Sequence, residues 1–205
     1  TSYERGFDSN GVERIYEYAS FVDAHTVEAA GKYYTAPHIL VATGGHALYP
    51  DIPGAQFGMV SDDFFALDEL PKRTAVVGAG YIAVELAGVL HALGSDTQLF
   101  VRENRPLRKF DKEIVETLVD VMAASGPTLH TYAIPKEVIK NDDDSLTLVL
   151  KNGENYTIDA VIWAIGRRAN ISGFGLEKTG VELDDKGFIR TDEFENTSVE
   201  GIYAL

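Results

Sequence analysis

Two groups of residues in this chain have types and spacings suited to holding an anion. The first is Gly78-Ala79-Gly80-Tyr81-Ile82-Ala83. Glycine at the first position permits a tight turn, glycine at the second leaves the backbone bare for a phosphate, and the small Ala83 lets a helix pack close to the preceding strand. The first N–H groups of such a helix have no partners within it and face the anion. The second group is Arg102-Glu103-Asn104-Arg105-Pro106-Leu107-Arg108-Lys109, four basic residues and one acid in a chain of formal net charge -14. Planar guanidinium groups suit phosphate better than ammonium does.

Local elements must place these groups side by side. Thr74-Ala75-Val76-Val77 reads as a buried strand, and Ile82, Ala83, Val84, Leu86, Ala87, Val89, Leu90 and Leu93 as a largely core-facing helix that Gly94 ends. The next strand is Thr97–Val101, so the glycine turn sits inside a β–α–β unit, the context that gives a short glycine pattern weight. In such units a residue about twenty positions past the turn selects the dinucleotide: an acid accepts from the ribose 2′-hydroxyl of NAD, whereas arginine pairs with the 2′-phosphate of NADP. Arg102 falls there and favours NADP; a register slip of one residue would put Glu103 there and favour NAD.

Glu85 is the only acid between Gly78 and Ser95. It either sits beside the helix dipole as a structural charge or faces the cofactor cleft. Tyr81 either lies where the cofactor binds or packs on the sheet. The stripe Ile114, Val115, Leu118, Val119 and Met122, after Asp111 as N-cap, predicts a second helix with these residues in the core. Leu146–Leu150 and Tyr156–Ile158 flank Asn152-Gly153 as an antiparallel hairpin. Ala160–Ile165 is a buried strand with Trp163 in the core, and Asp142-Asp143-Asp144 a polar turn rather than a metal site. Earlier in the chain, strand-like segments around Tyr18–Val22, Thr26–Ala29 and Tyr33–Thr35 precede the buried-type strand His38–Ala42, which stops at Thr43-Gly44-Gly45. A short segment follows around Phe64, Phe65 and Leu67. Hairpin-like segments Val181–Leu183 and Phe188–Arg190 and a last strand at Gly201–Ala204 complete the chain. The expected divisions are residues 1–66, 67–166 and 167–205.

Composition narrows the function classes. A pI near 4.7 and the lack of a basic face beyond the arginine cluster argue against nucleic-acid binding. No apolar run reaches membrane-spanning length and no signal peptide is visible, so no membrane role and a cytoplasmic setting are expected. Cysteine is absent, which excludes a disulfide, a thiolate metal site or a cysteine nucleophile from these residues. The five histidines are scattered without metal-ligand spacing, and no nucleophile elbow occurs. Neither a catalytic residue nor a metal ligand is therefore assigned. A chain that starts at Thr1 and stops inside a strand pattern reads as an excerpt.

Three stretches, Thr35–Gly45, Val77–Ala87 and Ile162–Arg167, resemble the glutathione reductases of the class I pyridine nucleotide-disulfide oxidoreductase family, in family order and over nearly the whole chain. The resemblance implies a Rossmann-like α/β NAD(P)-binding domain, with a parallel sheet and an antiparallel hairpin, at 67–166, between partial FAD-binding domain segments at 1–66 and 167–205. It implies a homodimeric flavoenzyme in which NADPH reduces FAD, FAD reduces a cysteine pair, and the dithiol reduces glutathione disulfide. By the same resemblance Gly78, Gly80 and Ala83 hold the NADPH pyrophosphate loop, Ala79 belongs to the cofactor-binding set, Ile82 touches the cofactor, and Arg102 and Arg108 hold the 2′-phosphate. Tyr81 covers the nicotinamide pocket, Glu85 lies near the nicotinamide amide and a lysine partner, and Gly166 lines the cleft. Ala19 makes a backbone contact on the FAD adenine side, and Thr43 and Gly44 lie near the junction with the FAD domain. The family's FAD glycine motif, redox cysteines and acid–base histidine are absent here, so the chain alone is expected to be inactive. The alternative is a nucleotide-binding module of another disulfide reductase, such as dihydrolipoyl dehydrogenase or mercuric reductase.

Overall fold

Backbone hydrogen bonding puts the apolar run before Gly78 at the centre of a five-stranded parallel sheet. In the computed structural model, which describes all 205 residues, this sheet belongs to one of two compact units, His46–Arg168. Its elements are β1 (Met59–Val60), β2 (Arg73–Val77), α1 (Tyr81–Ala92), β3 (Asp96–Phe100), α2 (Lys112–Ser125), β4 (Thr128–His130), the antiparallel trio β5 (Pro135–Lys140), β6 (Leu146–Leu150) and β7 (Asn155–Ile158), and β8 (Ala160–Trp163). The parallel order is β1-β8-β2-β3-β4.

Strand periodicity explains how both faces of this sheet are covered. Val76, Leu99 and Ile162 point to a layer formed by α1 and α2, where they meet Ala83, Leu86, Ala87, Leu90 and Met122. The intervening Ala75, Val77, Phe100, Val161 and Trp163 point to the opposite layer and pack on Val138, Leu146, Leu148, Leu150 and Ile158 of the antiparallel trio. Trp163 is buried, and its Nε1–H donates to the Ala55 carbonyl at 2.8 Å, which satisfies its one polar atom. Asp111 caps α2 by accepting from the Glu113 and Ile114 amides. The Asp142–Asp144 stretch is a turn in which Asp143 accepts from the Ser145 amide and hydroxyl.

Several elements differ from the sequence expectation. Residues 46–66 join the parallel-sheet unit rather than the first block, because β1 pairs with β8 as an edge strand. The short segment expected near Phe64, to which the sequence assigned no element type, is the helix Ser61–Phe64, with Asp63 accepting from the Val60 amide. In the α2 stripe Val115 and Met122 are buried but Ile114 is 62% exposed, because it falls outside the narrow seam that meets the sheet.

The other unit combines Thr1–Gly45 with Ala169–Leu205. It holds an antiparallel sheet of Ser20–Phe21, Thr26–Ala29 and Lys32–Thr35, and a parallel pair of Ile39–Val41 with Ile202–Ala204. Phe21, Val41, Phe174, Leu176, Ile202 and Ala204 form its core. His38–Ala42 is only half a buried strand, since Leu40 is exposed. The expected hairpin at 181–190 reduces to a single bridge between Leu183 and Ile189, because the Asp184 carboxylate takes the Lys186 and Phe188 amides. A helix unforeseen from periodicity, Ser2–Ser9, is closed by a Thr1–Glu4 capping box.

Arg73 at the start of β2 grips Asp159, just before β8, through Nε at 3.2 Å, Nη2 at 2.6 Å and its own backbone amide at 2.9 Å. The Arg73 guanidinium holds the Asp159 carboxyl below the usual carboxylate range. A depressed folded pKa stabilises above the unfolded value of about 3.9 and ceases to as pH falls through the lower folded value. Asp159→Asn should cost about 1 kcal/mol at pH 7, given how exposed the pair is. Urea unfolding at pH 7 and pH 3 checks this: the gap between the two proteins should narrow at pH 3, and an equal gap would refute the pair's role.

Candidate dinucleotide-binding site

The site grows from the turn between β2 and α1. Gly78 has φ 152°, and its amide donates to the Phe100 carbonyl at 3.0 Å, which ties the turn to β3. A Cβ on Gly78 would lie 2.2 Å from the Ala164 carbonyl oxygen and 3.2 Å from Ala83 Cβ. The turn is thus pressed between the end of β8 and the fully buried Ala83, the close approach for which small residues were expected. Gly80 is different: it is extended, and nothing lies within 4 Å of where its Cβ would be. No side chain caps α1, so the leading amides of this 12-residue helix open onto that space.

The arginine loop is carried to the same place. The Leu107 amide donates to the Ala79 carbonyl at 2.7 Å, with Leu107 at φ 49°, so the loop bends back onto the glycine turn. Its other side is held by Tyr132 N–H to the Glu103 carbonyl, 3.1 Å, and Ala133 N–H to the Val101 carbonyl, 2.9 Å. Glu103 lies between the two arginines assigned from the sequence: its Oε1 is 3.0 Å from Arg108 Nη1 and 3.9 Å from Arg102 Nε. Both guanidinium groups keep substantial exposure, 77% for the Arg102 side chain and 54% for that of Arg108. Sequence spacing pointed to these arginines; the Leu107–Ala79 tether and the bridging role of Glu103 had no sequence signal beyond one acid set among bases.

Tyr81 and Glu85, one turn apart on α1, are both exposed and share a face. Tyr81 is therefore not laid on the sheet, and Glu85 makes no hydrogen bond or ion pair within the protein. Ala79 and Ile82 are partly buried against the helix-side core. Gly166, at φ 138°, accepts from the Leu48 amide at 3.0 Å beyond the end of β8. Ala19, Thr43 and Gly44 belong to the other unit. Ala19 is exposed before its first strand, whereas Asn170 clamps the Thr43-Gly44 bend: the Asn170 amide donates to the Gly44 carbonyl, Asn170 Nδ2 to the Thr43 carbonyl, and the Thr43 hydroxyl to the Asn170 carbonyl. A depression of about 510 Å³ in the sheet unit lies between His91, Met122, Gly126 and Leu129, at the far end of α1 from the glycine turn. No lysine or arginine lines it.

Gly78 and Gly80 lie at the carboxyl end of β2, where the order reverses between β8 and β2, and the arginine loop lies at the carboxyl end of the neighbouring β3. In open α/β sheets ligands bind at that switch point. The sheet order and the helices that cover it define a Rossmann-type α/β unit.

A family profile described as pyridine nucleotide-disulphide oxidoreductase matches residues 1–205, and the chain belongs to that family. It is 41% identical over 211 residues to a glutathione reductase of Schizosaccharomyces pombe (strain 972 / ATCC 24843), an alignment that covers 99% of this chain and 46% of that protein. Among solved structures, the HOCl-induced flavoprotein disulfide reductase RclA from Escherichia coli is similar at a TM-score of 0.90 and 21% identity, covering 99% of this chain and 47% of RclA. The Cu(II) complex of RclA matches equally well. The chain spans about half the length of these relatives.

Proposed function

We propose that this chain is the NADPH-binding region of a flavin-dependent glutathione-disulfide reductase, with Thr1–Gly45 and Ala169–Leu205 contributing to its FAD-binding domain. The observation that carries the reading is the Leu107–Ala79 hydrogen bond, which brings Arg102 and Arg108 beside an uncapped helix start. The residues fit such a nucleotide. Open space at Gly80 admits a pyrophosphate, the α1 amides supply donors, and two exposed guanidinium groups suit a 2′-phosphate. Bound there, NADPH would supply a hydride to FAD, and through it electrons to a disulfide. The residues of this chain bind and orient; with no cysteine they provide no thiolate for disulfide exchange. The reading carries with it a cytoplasmic, homodimeric parent acting on glutathione disulfide. No helix of the chain is long and apolar enough to cross a membrane.

An NAD-linked relative such as dihydrolipoyl dehydrogenase would need Glu103 to leave Arg108 and accept from a ribose hydroxyl. A 2′-phosphate would also have to draw Glu103 from Arg108, so the preference rests on arginine at position 102, where an NAD site carries an acid. Titrations followed by nicotinamide fluorescence test this, since Trp163 is buried and its indole N–H engaged. NADPH should bind at least about tenfold tighter than NADH, the worth of one charge-assisted contact. Equal affinities would remove the assignment.

Tyr81 stands exposed at the first turn of α1, so it is expected to act on the nicotinamide half and not on the phosphates. Tyr81→Gly should leave binding of adenosine 2′,5′-bisphosphate within a factor of about three, as remote sites are nearly independent. A large loss with the fold intact would place Tyr81 at the phosphate turn or the adenosine.

A further inference from the structure

We propose that Glu103 is a specificity-determining residue: its carboxylate is the internal anion that a nucleotide 2′-phosphate must displace from Arg108 and Arg102, and it thereby limits the preference for phosphorylated nucleotides. The inference rests on the proposed NADPH reading.

Glu103 is the one acid in the loop from Arg102 to Lys109, and its Oε1 faces both assigned arginines, at 3.0 Å from Arg108 and 3.9 Å from Arg102. A phosphate offers the same kind of oxygen acceptors as a carboxylate, so the two compete for the same N–H donors. The exchange needs no rebuilding of the loop. Its backbone is pinned at Glu103 O by Tyr132 and at Leu107 N by Ala79, so the carboxylate can swing away on its side-chain torsions while the arginines stay. The remaining negative charge would still face the incoming dianion. A nucleotide without the 2′-phosphate meets neither the competition nor the repulsion, so the residue acts selectively against the phosphorylated form. The glutamate side chain is 41% exposed, and exposed ion pairs contribute little to folding, so its removal leaves the scaffold in place.

The test is isothermal titration of NADP⁺, NAD⁺ and adenosine 2′,5′-bisphosphate into the chain and into Glu103→Gln, with thermal unfolding of both as a check on folding. The variant should bind NADP⁺ and the bisphosphate about three- to tenfold tighter, the scale of one partly exposed charge interaction, and NAD⁺ within about twofold. The gain should shrink at high salt, and Glu103→Lys should exceed it. Unchanged or weaker binding of the 2′-phosphorylated ligands in both variants overturns the proposal, as does equal tightening of NAD⁺. If the unsubstituted chain itself fails to prefer NADP⁺ over NAD⁺, the NADPH reading falls. If it shows that preference and the variants bring no gain, the role of Glu103 alone falls.

Discussion

Replacing Arg102 and Arg108 together by leucine is expected to abolish most of the preference for NADPH over NADH while leaving NADH affinity nearly unchanged. The two guanidinium groups are the exposed cations that the Leu107–Ala79 hydrogen bond holds beside the glycine turn. A charge-assisted hydrogen bond contributes roughly 1.5 to 3 kcal/mol, and solvent screening reduces that for side chains as exposed as these. About 1 kcal/mol from each gives an expected loss of roughly thirtyfold in NADPH affinity. The double substitution also frees Glu103, which adds repulsion toward the phosphate, so each single variant should lose less than half of the total in logarithmic terms. Dissociation constants for both nucleotides in the parent chain, the singles and the double variant check this. A double variant that keeps its preference would show that other groups read the phosphate.

Gly78→Ala should be the most damaging single substitution at the site. The added Cβ would stand 2.2 Å from the Ala164 carbonyl oxygen, a backbone atom that moves only if β8 moves, and the residue would be held at a φ of 152°. Overpacking and backbone strain each cost about 1–3 kcal/mol, so a loss of roughly 3 kcal/mol or more in stability is expected, with nucleotide binding weakened as the turn opens. Gly80→Ala is the matched control: nothing lies within 4 Å of its Cβ position, so stability should change little while phosphate binding still suffers. Urea unfolding of the two variants separates these effects. A Gly78→Ala protein as stable as the parent would contradict the packing described for the turn.

What could be read from the sequence, and what could not, follows from the range of the interactions. The β2–turn–α1 unit was legible because every signal in it is local: a buried strand, glycine at the turn, apolar residues at helical spacing, and Gly94 at the end. Asp111 as the cap of α2 and Asn152-Gly153 between β6 and β7 are local in the same way. β1 was missed because it is a strand of two residues whose only partner, β8, lies about a hundred residues later. Within the site, the residue types of the arginine loop pointed to phosphate. Their placement depends on one amide of Leu107 reaching Ala79, and on which way the Glu103 side chain turns, neither of which leaves a trace in spacing. For Glu85 the sequence left open a structural charge beside the helix dipole or a group facing the cleft; helical phase puts it on the exposed face it shares with Tyr81.

A 2′-phosphorylated dinucleotide is expected to bind across the start of α1 and the arginine loop. Amide chemical-shift mapping of the ¹⁵N-labelled chain during titration with NADP⁺ tests it most directly. The largest shifts are expected at Gly80, Tyr81, Ile82 and Ala83 and from Arg102 to Arg108, with those at Arg102, Glu103 and Arg108 much reduced when NAD⁺ is used instead. Shifts confined to the groove around His91, Met122 and Leu129, or a loop from Arg102 to Arg108 that responds equally to both nucleotides, would contradict it.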